Sequence, residues 1–187
     1  MANFDVTISK PKTATGGLTF APKDTTLPSD AKTSLNVAFK PFGYISEDGV
    51  TLSSDSSDED IIVWGGYKVR KVRSQYSESV SFRVLSTRDV DVLKACFGDN
   101  QVESSGKEIM IKHTADIPSK KVYTIETRDE DGFARRYVIP DGQLMVSGDR
   151  NLSHSAADGF DVSIESFPDA DGVCIYEYTE LPAAPAA

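Results

Sequence analysis

The sequence predicts a mainly β protein with a single short helix, and three observations carry that prediction. Asp-Gly pairs recur at 48–49, 131–132, 141–142, 158–159 and 171–172. Asp tolerates positive φ and Gly welcomes it, so such pairs between alternating segments predict hairpin turns. The intervening stretches alternate: in YSESVSFRVL, Tyr76, Val80, Phe82 and Val84 share one face while Ser77, Ser79, Ser81 and Arg83 share the other, as in a half-buried strand. Finally, only RDVDVLKACF changes period, with Val90, Leu93 and Phe97 at helical spacing before Gly98.

Taken in chain order, the first forty residues carry Gly16-Gly17 and prolines at 11, 22 and 28, which predicts an extended, irregular start covering about 1–35. FKPFGYI then reads as a strand. Residues 46–60, SEDGVTLSSDSSDED, hold six carboxylates, no base and two aliphatic side chains. They bury too little to fold alone, so a long unstructured loop is expected there. IIVWGGYKVRKVR resumes as a strand and places Lys68, Arg70, Lys71 and Arg73 on both of its faces. Ser86 or Thr87 is expected to cap the helix. EIMIKH, KVYTIETR, GFARRYVI, QLMVSG, GFDVSIESF and VCIYEYTE follow as strands, about eight to ten in all. Residues 1–180 are expected to form one domain, and 181–187, LPAAPAA, a loose tail.

Charge limits the partners. A net charge of −9 opposes a phosphate-seeking surface, which needs clustered Lys and Arg. No charged start precedes an apolar leader, and no apolar run approaches a membrane span. Cys96 and Cys174 lack metal-ligand spacing and read as buried free thiols.

No catalytic constellation emerges, and no cofactor or metal is called for. Ser153, His154 and Asp158 are merely adjacent, whereas triads are assembled by the fold; His113 ends a strand. RDEDG (128–132) and PDADG (168–172) lack the spaced ligand set of a calcium loop and suit turns. Glu165 and Glu177 are one arbitrary carboxylate pair among many. Charge placement remains: the acids Glu47, Asp48, Asp55, Asp58, Glu59 and Asp60 lie just before the bases Lys68, Arg70, Lys71 and Arg73. Within one subunit these are solvated ion pairs of small worth; between subunits they make an acidic arm and its complementary basic surface.

LTFAPKDTTLPSDA (18–31), FKPFGYISEDGV (39–50), WGGYKVRKVRSQYSESVSF (64–82) and VLKACFG (92–98), in that order, resemble the major tail protein, or tail tube protein, of bacteriophages with long non-contractile tails. The resemblance implies a β-sandwich or barrel-like subunit with a flanking helix. It implies hexameric rings stacked into a tube that conducts the genome into the host cell, and a long inter-strand loop at 46–60 that reaches a neighbouring ring. Implied partners are further copies of the chain, a tape measure protein, a tail terminator and distal tail or baseplate proteins. Double-stranded DNA is expected to pass without specific binding, and assembly to occur in the host cytoplasm. The extra carboxyl-terminal immunoglobulin-like module of some relatives is not expected here.

A loop of fifteen residues folded back spans about 25 Å, against a radius of gyration of ~16 Å for a compact chain of this size, so it can reach beyond its own domain. It is expected to gain order only on meeting a neighbour. The alternatives are a tube protein of a contractile tail or secretion-type injection system, and a β-sandwich glycan-binding module. The last predicts clusters of exposed aromatics, whereas the single Trp, Trp64, reads as a packing anchor.

Overall fold

The computed structural model describes residues 7–15 and 17–181; the expected tail over 182–187 and the first six residues lie outside these. Eleven strands are present among the described residues: β1 (Lys10–Pro11), β2 (Leu18–Pro22), β3 (Lys40–Pro41), β4 (Ile45–Ile62), β5 (Lys68–Val84), β6 (Val102–Ser104), β7 (Ile109–Ile111), β8 (Lys121–Arg128), β9 (Ala134–Val146), β10 (Phe160–Ser166) and β11 (Tyr176–Thr179). Nine form one antiparallel sheet in the order β3-β2-β8-β9-β10-β5-β4, with β1 on β8 and β11 on β9. β6 and β7 form a separate pair.

Alternation builds the core. Val80, Phe82 and Val84 of β5 oppose Ile164, Val162 and Phe160 of β10, and all six are buried. Phe42 is fully buried, with Phe20, Phe82 and Tyr123 ring centroids at 4.8, 5.2 and 6.2 Å. Aromatic clusters of this geometry add to plain area burial. Both thiols, Cys96 and Cys174, are buried and free, and burial pushes the Cys96 thiol up to about 12.

The single α-helix, α1 (Val90–Phe97), falls where the change of period placed it. Its cap is Asp89, whose carboxylate accepts from the N–H groups of Asp91 and Val92. Ser86 instead accepts from the Tyr44 N–H at 3.0 Å. Val92, Leu93, Ala95 and Cys96 form the buried face, whereas Val90 and Phe97 are half-buried. The buried stripe thus lies about one position off the expected one.

The Asp-Gly pairs divide by physical cause. Asp131-Gly132 and Asp171-Gly172 occupy tight turns, closed by the Gly132 N–H to Asp129 O and the Gly172 N–H to Asp169 O. Asp141-Gly142 lies inside β9, so GFARRYVI and QLMVSG are one strand. Gly142 serves close packing there: a Cβ would sit 2.7 Å from the Tyr123 ring and 2.8 Å from Ile164. Asp48-Gly49 lies in an irregularity of β4 between Ile45 and Val50, and Asp158-Gly159 ends the loop before β10.

The irregular start is held on the sheet by Arg136, which is completely buried. Its guanidinium donates to Glu126 Oε1 at 2.6 and 3.2 Å, to the Asp30 carbonyl at 2.7 Å and to the Thr33 carbonyl at 2.8 Å. Glu126 also accepts from Lys12 Nζ at 2.6 Å. The Asp30 carboxylate secures the same loop by accepting from the Thr33 hydroxyl and from the backbone N–H groups of Thr33 and Lys32, which lower its pKa to about 2. Because the folded value lies below the ordinary 3.8, this contribution is complete above that value and is lost as pH falls toward 2. Acid titration followed by NMR of the Asp30 carboxyl is expected to show that low midpoint, and Asp30→Ala to remove the stability change across the same interval.

Candidate functional site

Residues 46–60 are strand, not loop: β4 runs from Ile45 to Ile62 against β5, with register shifts at Ile45/Val50, Ser57/Asp58 and Ile61/Ile62. A low-apolar segment manages this because the pairing partner lies in the same chain. Backbone hydrogen bonds, and not a core, define a two-stranded ribbon. The body of the sheet supports only its base, since β10 follows β5 from Val84 to Glu78 and no further. From Ser77 to Lys68, β5 has β4 as its only strand partner among the described residues. The ribbon therefore leaves the domain near the Asp55–Ser77 pair, and the nine residues from there to Trp64 extend about 30 Å at ~3.3 Å per residue.

On the ribbon the acidic and basic stretches meet each other. Asp58 lies opposite Arg73, and Asp60 opposite Lys71. Asp58 pairs with Lys71 at 3.1 Å and Arg73 at 3.2 Å, and Asp60 with Lys68 at 2.6 Å. Hydrogen bonds from Lys71 and then Arg73 hold the Asp58 carboxyl below its usual range. Arg70, Asp55 and Glu59 have no ion-pair partner among the described residues; Asp55 and Glu59 lie on the opposite ribbon face from Asp58. Glu47 and Asp48 are exposed at the ribbon's root, where Asp48 accepts from the Ser46 hydroxyl at 2.8 Å. The ten charged residues singled out in the sequence thus line one hairpin from root to tip.

The tip is apolar. Ile61, Ile62, Val63, Tyr67 and Val69 are all exposed, and Trp64 is 105% exposed. Trp64 therefore anchors nothing within its own subunit, contrary to the packing role expected of it. The turn beneath it is closed by the Val63 N–H to Tyr67 O at 3.0 Å and the Gly66 N–H to Val63 O at 2.8 Å, with Gly66 at φ 79. It presents the indole outward because the two residues that follow are glycines with no side chain to cover it and the strands behind it are already paired.

A second surface extends from the ribbon across the sheet. On the face away from the core, Ser53, Ser79 and Glu165 align across β4, β5 and β10, as do Thr51, Ser81 and Ser163. Arg83 of the same face binds Asp161 at 2.9 Å. With Asp55 and Glu59, this face is rich in serine and carries more carboxylates than bases.

The chemical alternatives find no assembled site among the described residues. Asp158 is bound by Arg150, and Ser153 meets Ser155 instead of His154. His113 packs edge-on against Phe97 at 5.0 Å. Asp129 accepts from the Phe133 N–H, and Asp169 from Asp171, Val173 and Tyr176, so each turn uses its first aspartate to close itself. Glu177 faces Arg135 at 3.6 Å, on a different strand from Glu165. No described helix is long and apolar enough to cross a membrane.

A protein-family model described as phage tail tube protein matches residues 5–181 of the 187. No curated protein matches the chain.

Proposed function

Since this chain belongs to the phage tail tube protein family, a family of structural virion proteins that assemble into the tail tube, we propose that its copies close into hexameric rings. These rings stack into the tube of a long non-contractile tail and conduct the genome into the host cell. The observation that carries this reading is the β4–β5 ribbon. A ribbon some 30 Å long, beyond its own core and tipped with exposed apolar side chains, suits contact with another copy. Heterologous contacts close a ring when the rotation permits and otherwise continue as a filament, so ring closure and stacking use different surfaces. The ribbon serves stacking.

In this arrangement the serine-rich sheet face lines the channel. Its surplus of carboxylates repels phosphate, so that double-stranded DNA slides without gripping. Glu47, Asp48, Asp55, Asp58, Glu59 and Asp60 belong to the inter-ring arm. Lys68, Arg70, Lys71 and Arg73 supply the complementary bases, some by exchanging a partner on their own ribbon for one across the contact, at little net cost for exposed pairs. The tape measure protein, the tail terminator and the distal tail proteins bound the tube, which is built in the host cytoplasm. Sedimentation and negative-stain microscopy of purified protein test this: rings and hollow tubes are expected, and a protein that stays monomeric even with its tail initiator overturns the reading.

A further inference from the structure

We propose that the Trp64 tip of one subunit's ribbon docks in a cavity at the ribbon root of the next copy, an inference that rests on ribbon-mediated stacking and names its receiving site. The cavity, of about 440 Å³, lies where β4 passes the amino-terminal segment, β8 and β9 without pairing to them. Ile45, Val50, Leu52, Ile125 and Tyr137 supply its apolar wall. Its size falls within the roughly 300–1,000 Å³ of clefts that take up drug-sized ligands, which is room enough for an indole.

Three observations choose a second copy's tip as the occupant. The tip presents a large apolar surface with nothing of its own subunit to cover it. The buried hydroxyl of Thr127, a lining residue, has no hydrogen-bond partner among the described residues; the indole N–H of Trp64 is a donor in need of an acceptor. The charges also correspond. Glu47, without an ion-pair partner among the described residues, belongs to the cavity lining, and Arg70, equally unpaired, lies on the ribbon opposite Ile61 beside the tip. Desolvated charge pairs of this kind set register more than affinity.

The contact cannot form within one subunit, because the twelve residues of extended strand from Leu52 to Trp64 hold the tip about 40 Å from the cavity. Repeated head to tail, the same geometry allows a spacing of at most roughly 40 Å between successive copies.

Two measurements test the proposal on the full chain. Trp64 is the only tryptophan, so on assembly its emission is expected to shift to shorter wavelength and its quenching by acrylamide to be lost. Emission unchanged between subunit and tube overturns the proposal. Second, Val63→Cys with Ser9→Cys places one thiol beside the tip and one at the cavity rim while keeping Trp64. Under mild oxidation the tubes are expected to give a ladder of disulfide-linked multimers, with each single variant giving dimers at most. Tubes that form without a ladder overturn the docking site and leave ribbon-mediated assembly standing. Failure of the unmodified protein to form tubes brings down both.

Discussion

Replacing Arg136 with alanine is expected to destabilise the subunit by about 3–5 kcal/mol, the usual consequence of removing one partner from a buried ion pair. The side chain is fully buried and joins three parts of the fold: Glu126 on β8, its own strand β9, and the carbonyls of Asp30 and Thr33 in the amino-terminal segment. Without the guanidinium, two part-buried carbonyls lose their donor, and Glu126 keeps only Lys12. Of its polar ties to the sheet among the described residues, the 28–36 segment then keeps only the Lys32–Glu180 ion pair. Urea unfolding is expected to give a lower midpoint for Arg136→Ala. Changing Glu126 as well, to Leu with Arg136→Met, is expected to recover part of the loss, because the buried carboxylate no longer lacks its guanidinium and Lys12, a quarter exposed, can turn to water. A midpoint unchanged in Arg136→Ala contradicts this account of how the start of the chain is held.

The largest functional effect is expected from shortening the ribbon. Deleting Asp58–Ser74 and joining Ser57 to Gln75 through Asn-Gly closes the hairpin at an existing cross-strand pair with a turn suited to a two-residue connection. No deleted residue belongs to the buried core, so circular dichroism and the thermal midpoint are expected to stay close to those of the full chain. Tubes are expected to disappear from negative-stain fields. Normal tubes from this variant would move the stacking contact elsewhere, whereas an unfolded product would show that the ribbon stabilises the domain that bears it.

How far the sequence disclosed this molecule depended on whether the deciding partner was local. Val80, Phe82 and Val84 alternate with polar neighbours, so β5 could be read directly, as could α1 from its change of period and Gly98. The acidic segment reads as a loop because its composition has no apolar face; what orders it is a partner strand, Lys68–Ser77, that also looks polar. Register between two such strands is visible only in three dimensions, and so is the match of Asp58 with Lys71 and Arg73.

Asp141-Gly142 carries a turn signature, but its glycine answers to the Tyr123 ring packed against it. Arg136 is not legible locally for the same reason: its carboxylate partner is ten residues away and its carbonyl partners more than a hundred. An Arg at an inward position of an alternating strand, opposite a Glu at an inward position of the next, was the available signal. Trp64 reads as an anchor from its residue type, although the two glycines after it and the polar strands on either side indicate an outward tip.

Electron cryomicroscopy of the assembled tube is the most direct test that one copy's ribbon completes the next ring. The expected map shows residues 58–73 of every subunit crossing to the adjoining ring, with Ser53, Ser79 and Glu165 turned toward the channel. A map in which that hairpin folds back on its own ring and touches no subunit above or below it would contradict the account.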